Sequence, residues 1–67
     1  MIRIFVNGEA RTITSAVTLV DLLATLELNG KRIAVEVNQE IISRSSFANT
    51  FLHDDDRVEI VHAIGGG

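Results

Sequence analysis

The chain has 67 residues, a net charge of −3 and no cysteine. That length makes one domain with one small core, burying only ~60% of its unfolded surface, and the missing cysteines exclude a disulfide framework or a zinc knuckle. With 46% hydrophobic and 22% charged residues it is too apolar for disorder, it has no basic stripe for nucleic acid, and no run approaches the ~20 apolar residues of a membrane span.

Met1-Ile2-Arg3 is read as the start of a strand and not of a signal peptide, and the expected address is the cytoplasm. Ile2, Ile4 and Val6 alternate with Arg3 and Phe5. Asn7-Gly8 follows at once, a strong hairpin signal, because both residues tolerate the positive φ of a type I′ turn. Glu9 to Thr14 is the returning strand, with Ala10, Thr12 and Thr14 facing opposite to Arg11 and Ile13. Thr18 is the expected N-cap of a helix, with Asp21 in the capping-box position and Val17 and Leu22 at the spacing of a hydrophobic staple. Leu19, Leu22, Leu23 and Leu26 form one apolar stripe. The helix is expected to end in a left-handed cap at Asn29-Gly30, with Lys31-Arg32 placing positive charge near its negative end. So short a helix is unstable alone and must lie across a sheet.

Ile33, Val35 and Val37 alternate with Ala34 and Glu36 in a third strand. Asn38-Gln39 is a turn, and Glu40-Ile41-Ile42 a short fourth strand. In the connection from Ser43 to Asp56, Phe47 and Phe51 stand one helical turn apart and are expected to pin a single turn to the core. Asp54-Asp55-Asp56 is expected to be a solvated, charged turn. Val58, Ile60 and His62 alternate with Glu59 and Val61 in the last strand. The order ββαββ, then a loop, then β, puts one helix over one face of a mixed sheet, an α+β architecture whose strand order the pattern leaves open.

The domain is therefore read as 1–62, and Ala63-Ile64-Gly65-Gly66-Gly67 as a flexible C-terminal tail. Glycines without Cβ atoms are costly to order and neither pack nor cap. Extended, Ala63 to Gly67 would reach roughly 16–18 Å. Such a tail can thread a channel too narrow for side chains and bring the Gly67 carboxylate to its far end. It can also be a frayed end or a leftover linker, and the tail alone does not decide between them.

No residue reads as catalytic. His53 and His62 lie apart with no cysteine to join them in a metal site, and Asp54 to Asp56 lack the spacing, glycine and distal glutamate of an EF-hand loop. Ser43, Ser45 and Ser46 have no context that activates a nucleophile. Gly65-Gly66-Gly67 is not a phosphate loop, because no helix follows it. The chain reads as something enzymes act upon. The alternation leaves Phe5, Ala34 and Val61 facing away from the helix, where they would form an apolar face for a partner. The competing reading is that Arg3, Arg11 and Glu59 lie over them; the patch is preferred because a small domain without such a function should avoid an exposed Phe.

Taken whole, the sequence resembles the β-grasp (ubiquitin-like) sulfur carriers, and among them the ThiS family of thiamine biosynthesis. The resemblance runs from Ile2-Arg3-Ile4-Phe5-Val6-Asn7-Gly8 through Val17-Thr18-Leu19-Val20-Asp21-Leu22-Leu23. It continues through Ala34-Val35-Glu36-Val37-Asn38-Gln39-Glu40-Ile41-Ile42-Ser43-Arg44 and Asp56-Arg57-Val58-Glu59-Ile60-Val61 to Gly66-Gly67. Ser43 stands where a proline often precedes the arginine, and Phe47 where a tryptophan is frequent. The family fold implies that the first and last strands are parallel neighbours at the sheet centre.

The resemblance also implies a carrier and not an enzyme, with no cofactor or metal of its own. The Gly67 carboxylate would be adenylated by a ubiquitin-activating-like adenylyltransferase using ATP and Mg²⁺. Sulfur from a cysteine desulfurase or rhodanese-type donor would then give a thiocarboxylate, from which thiazole synthase would take sulfur. Gly65, Gly66 and Ile64 would form the tail that reaches the partner's active site. Without cysteine, the terminal acyl group is the one place in this chain where sulfur could be carried. Two other readings are a sulfur carrier for molybdopterin, tRNA thiolation or cysteine synthesis, and a ubiquitin-like modifier or interaction module. No nucleic-acid or membrane partner is expected.

Overall fold

In the computed structural model, which describes residues 1–15 and 17–62, five strands form one mixed sheet. In chain order these are β1 (Ile2–Val6), β2 (Glu9–Ile13), β3 (Ile33–Val37), β4 (Glu40–Ile42) and β5 (Arg57–His62). Helix α1 (Leu19–Thr25) joins β2 to β3, and a 3₁₀ helix (Arg44–Asn49) lies between β4 and β5. The spatial order is β2-β1-β5-β3-β4. β5 runs parallel to β1 and antiparallel to β3, so the first and last strands are central neighbours, as the β-grasp resemblance implies.

Both hairpins turn through left-handed residues. Asn7 and Gly8 have φ of 50° and 87°, and Asn38 and Gln39 have 53° and 71°. These are the signs a type I′ turn needs to match the right-handed twist of its strands. The second hairpin holds this geometry without a glycine.

At the start of α1 the Thr18 hydroxyl accepts from the Asp21 N–H at 3.3 Å, and the Asp21 carboxylate accepts from the Thr18 N–H at 3.1 Å. This is the expected capping box, closed by an aspartate. The far end of the helix departs from expectation. The helix stops at Thr25, where the Glu27 N–H donates to Ala24 C=O at 3.1 Å and the Leu28 N–H to Leu23 C=O at 2.8 Å. That bond pair is a Schellman motif, with Glu27 at φ 60° in the place glycine usually takes. Gly30 is left-handed too, at φ 80°, but belongs to the following connection. Lys31 and Arg32 consequently lie past the helix, whose last turn contains no basic residue. Leu28 closes the motif against the core, a stronger constraint than glycine preference.

The leucine stripe covers the inner face of the sheet. Ile4, Val6, Val35, Val37, Val58 and Ile60 are buried against Leu19, Leu22 and Leu23, with Ile2, Ile33 and Leu26 partly buried around them. His62 shares their facing but is exposed. The seven residues of α1 span only about 10 Å, while the six of β5 run about 20 Å, so the sheet outruns its helix.

Phe47 is buried under the 3₁₀ helix, but Phe51 is 51% exposed and does not pin the turn; Leu52 does, at 2%. The segment leaves helical geometry at Thr50, where Leu19 N–H donates to Thr50 C=O and Leu52 N–H to Val17 C=O. An extended segment alternates its side chains with period two, which turns Phe51 out and Leu52 in. The aspartate turn is exposed at Asp54 and Asp55, as expected, and is also tied to its surroundings by hydrogen bonds. Asp54 accepts the Arg3 N–H at 2.8 Å, and Asp56, half-buried, accepts the His53 N–H at 2.8 Å. No helix among the described residues is long and apolar enough to cross a membrane.

Candidate functional site

The glycine tail follows β5 in sequence. Ile64, Gly65, Gly66 and Gly67 lie outside the described residues; what the structure defines is the strand that holds their base. Val58 and Ile60 fix β5 from below by burial. Its edges are fixed by hydrogen bonds. On the β1 side, Phe5 N–H donates to Asp56 C=O at 2.9 Å and Asn7 N–H to Val58 C=O at 2.8 Å. β1 then turns away, leaving the next rung of the ladder without a strand. The Asn7 carboxamide supplies it: Nδ2 donates to Ile60 C=O at 3.1 Å, and Oδ1 accepts the Ile60 N–H at 2.8 Å.

The second hairpin repeats the device on the other side. Asn38 N–H donates to Arg57 C=O at 2.8 Å, its Oδ1 accepts the Arg57 N–H at 3.0 Å, and its Nδ2 donates to Asp56 Oδ1 at 2.9 Å. A part-buried peptide group left unpaired costs more than the pair gains, so the Asn7 amide lets β1 turn away without loosening β5 at Ile60, while the Asn38 bonds lie at exposed positions. Sequence reading found both asparagines, but only as turn formers. The signal for their second role was the repetition of asparagine at the first position of both turns.

Phe5, Ala34 and Val61 all face away from α1, yet they do not form one patch. Ala34 and Val61 are direct cross-strand partners, with Val61 60% exposed. Phe5 pairs with Arg57 near the other end of β5. It is half-buried, with the Arg57 and Arg3 guanidiniums 4.8 and 5.4 Å from its ring centroid. Both distances allow cation–π attraction. Arg3 therefore does cover Phe5, together with Arg57, which the sequence reading did not anticipate.

Between the two apolar ends Glu36 and Glu59 are direct partners, a like-charge pair that a sheet ordinarily avoids. Ile41, opposite Glu36 on β4 and 75% exposed, is a member of this face that alternation alone did not single out. The outer face is thus an arginine-capped phenylalanine, an acidic centre, and an open apolar end beside the base of the tail.

His53 lies in the connection before the aspartate turn, its Nδ1 3.9 Å from Asp56 Oδ2, while His62 ends β5. Among the described residues no group of three histidine, cysteine, aspartate or glutamate side chains could hold a metal.

The sequence profile of the ThiS family matches residues 4–67, the glycine tail included. The sulfur carrier protein ThiS of Bacillus subtilis is 46% identical over 50 residues, covering 75% of this chain and 76% of its own length. A thiazole synthase of Paramagnetospirillum magneticum is 40% identical over 65 residues, which are 97% of this chain. The chain spans only 20% of that synthase's length. Among solved structures, the crystal structure of the thiamine biosynthesis protein ThiS from Geobacter metallireducens superposes with a TM-score of 0.86 at 30% identity. It covers 98% of this chain and 100% of that one.

Proposed function

The chain belongs to the ThiS family, the sulfur carriers of thiamine biosynthesis, and we propose that it carries sulfur as a thiocarboxylate on Gly67 for the thiazole of thiamine. The observation that carries this reading is that the family match runs to residue 67 in a chain with no cysteine. A free carboxylate is a poor acyl donor, because it is anionic and would have to expel oxide. A Gly67 carboxylate oxygen bonds to the α-phosphorus of ATP as pyrophosphate leaves. Sulfur at the oxidation level of sulfide then forms the C–S bond while the C–O bond to AMP breaks. ATP and Mg²⁺ are the substrate and metal of a ubiquitin-activating-like adenylyltransferase, which supplies the charge stabilisation these steps require.

This chain's own contribution is delivery. The part-buried bonds of Asn7 to Ile60 hold β5 as a fixed post. Gly65 to Gly67 offer no side chain to a narrow channel, and ordering three such residues costs roughly 3–6 kcal/mol. That cost favours release between enzymes and leaves affinity to the outer face. Thiazole synthase is the proposed acceptor, supported by two relatives of that name that contain segments 40% and 38% identical to this chain. A cysteine desulfurase or rhodanese-type enzyme is the proposed donor, its persulfide sulfur brought to the sulfide level by a thiol reductant that is itself oxidised to a disulfide, and the cytoplasm is the proposed site of action.

The test is ATP–pyrophosphate exchange with the adenylyltransferase, followed by intact-mass analysis in the presence of sulfide. Wild type should support exchange and gain the mass of one oxygen replaced by sulfur. Deleting Gly67 withdraws the carboxylate by roughly 3.5 Å, which is enough to prevent attack that needs atoms about 3–3.5 Å apart. Gly66→Ala, which sets a Cβ against the channel wall, should lower exchange sharply. Full exchange by the folded deletion variant would refute the carrier reading.

A further inference from the structure

On the helix side of the sheet, between the end of α1, the start of β3 and the 3₁₀ helix, lies a pocket of about 180 Å³. Leu23, Leu28, Ile33 and Phe47 give it apolar walls, and the exposed Lys31 and Arg44 stand at its edge. At this size it falls below the roughly 300–1,000 Å³ of sites that enclose a drug-sized molecule. It suits one side chain.

Its charge is as distinctive as its size. The chain is acidic overall, yet Lys31 and Arg44, two of its six basic residues, line this pocket. None of the residues lining the pocket is Asp or Glu. Among the described residues the ion pairs are Arg3 with Asp55 and His53 with Asp56, so Lys31 and Arg44 have no carboxylate partner there. One Arg44 nitrogen donates to the Lys31 C=O at 3.1 Å. That bond fixes the guanidinium at the pocket edge and leaves most of its five donors for something else.

We propose that this pocket is a second docking site, for a protein partner that presents one apolar side chain flanked by carboxylates. The walls bury the side chain, and Lys31 and Arg44 meet the flanking charges. Ile33, in the pocket wall, is the direct cross-strand partner of His62, the last described residue of β5. A partner anchored here sits at the base of the tail, on the opposite side of the sheet from Ala34 and Val61. It can therefore hold the carrier while the outer face is engaged by another surface.

The experiment titrates the ¹⁵N-labelled full chain with acetyl-Asp-Leu-Glu-amide at low salt and follows amide shifts. Saturable shifts at Leu28, Asn29, Lys31, Ile33 and Phe47, with a Kd of about 1 mM, are expected. They should weaken about tenfold or more for acetyl-Lys-Leu-Lys-amide, for acetyl-Asp-Ala-Glu-amide, and for the Lys31→Glu/Arg44→Glu variant. The two control peptides need no variant, so a loss of folding in the double substitution leaves the outcome readable. Absent shifts, equal shifts with either control peptide, or shifts confined to the outer face would each overturn the proposal.

Discussion

Asn7→Gly isolates the carboxamide that completes the β1–β5 ladder. Glycine adopts the φ of 50° at this position at no steric cost, so the turn is preserved and only the side chain is lost. Two part-buried bonds disappear, Nδ2 to Ile60 C=O at 3.1 Å and Ile60 N–H to Oδ1 at 2.8 Å. At a net ~0.5–1.5 kcal/mol each, they contribute about 1–3 kcal/mol. The extra freedom of glycine in the unfolded chain adds roughly 0.4–1 kcal/mol. A total of about 1.5–4 kcal/mol should lower Tm by roughly 6–30 °C in a domain of this size. Asn38→Gly removes a similar bond pair, but both lie at exposed positions where water replaces them, so its cost should be smaller. Urea melts with unchanged m-values measure both, and amide exchange at Ile60 reports the loosened strand. If Asn7→Gly costs no more than Asn38→Gly, and exchange at Ile60 does not change, the carboxamide is not what holds β5.

Three further outcomes follow from the same geometry. Leu22→Ala, at a side chain 1% exposed, should cost roughly 2–5 kcal/mol in denaturant melts; a loss below about 0.5 kcal/mol belongs to a surface residue and contradicts its place in the core. Glu27→Gly should raise stability by roughly 0.5–1 kcal/mol, because relief of ~1–2 kcal/mol of left-handed strain outweighs the entropy glycine adds to the unfolded chain; a lower melting temperature would mean the Glu27 side chain stabilises the helix end in its own right. Phe5→Glu should keep the fold, since its carboxylate lies within reach of Arg3 and Arg57, while weakening binding to the adenylyltransferase or thiazole synthase; unchanged calorimetric affinity for both would remove Phe5 from the partner face.

Periodicity and turn chemistry act over a few residues, and what depends on them was legible in the chain alone. The alternation of Ile2, Ile4 and Val6, the Thr18–Asp21 box and the Asn7-Gly8 turn are each decided by neighbours within one turn or one pleat. The absence of cysteine is likewise read from the chain alone. Other features required the assembled molecule, because they depend on partners distant in sequence. The C-terminus of α1 is set by Leu28 closing onto the core at the expense of strain at Glu27, against the local preference of Asn29-Gly30. Phe51 points outward because residues 50–52 pair with the chain before α1, a contact across some thirty positions that overrides the helical spacing from Phe47. Asn7 bonds to Ile60 across 53 positions, and Arg57 covers Phe5 only because β5 lies parallel to β1. Local sequence decides which way a residue points along its own strand; which strand lies beside it, and so what its side chain meets, is decided by packing the whole chain at once.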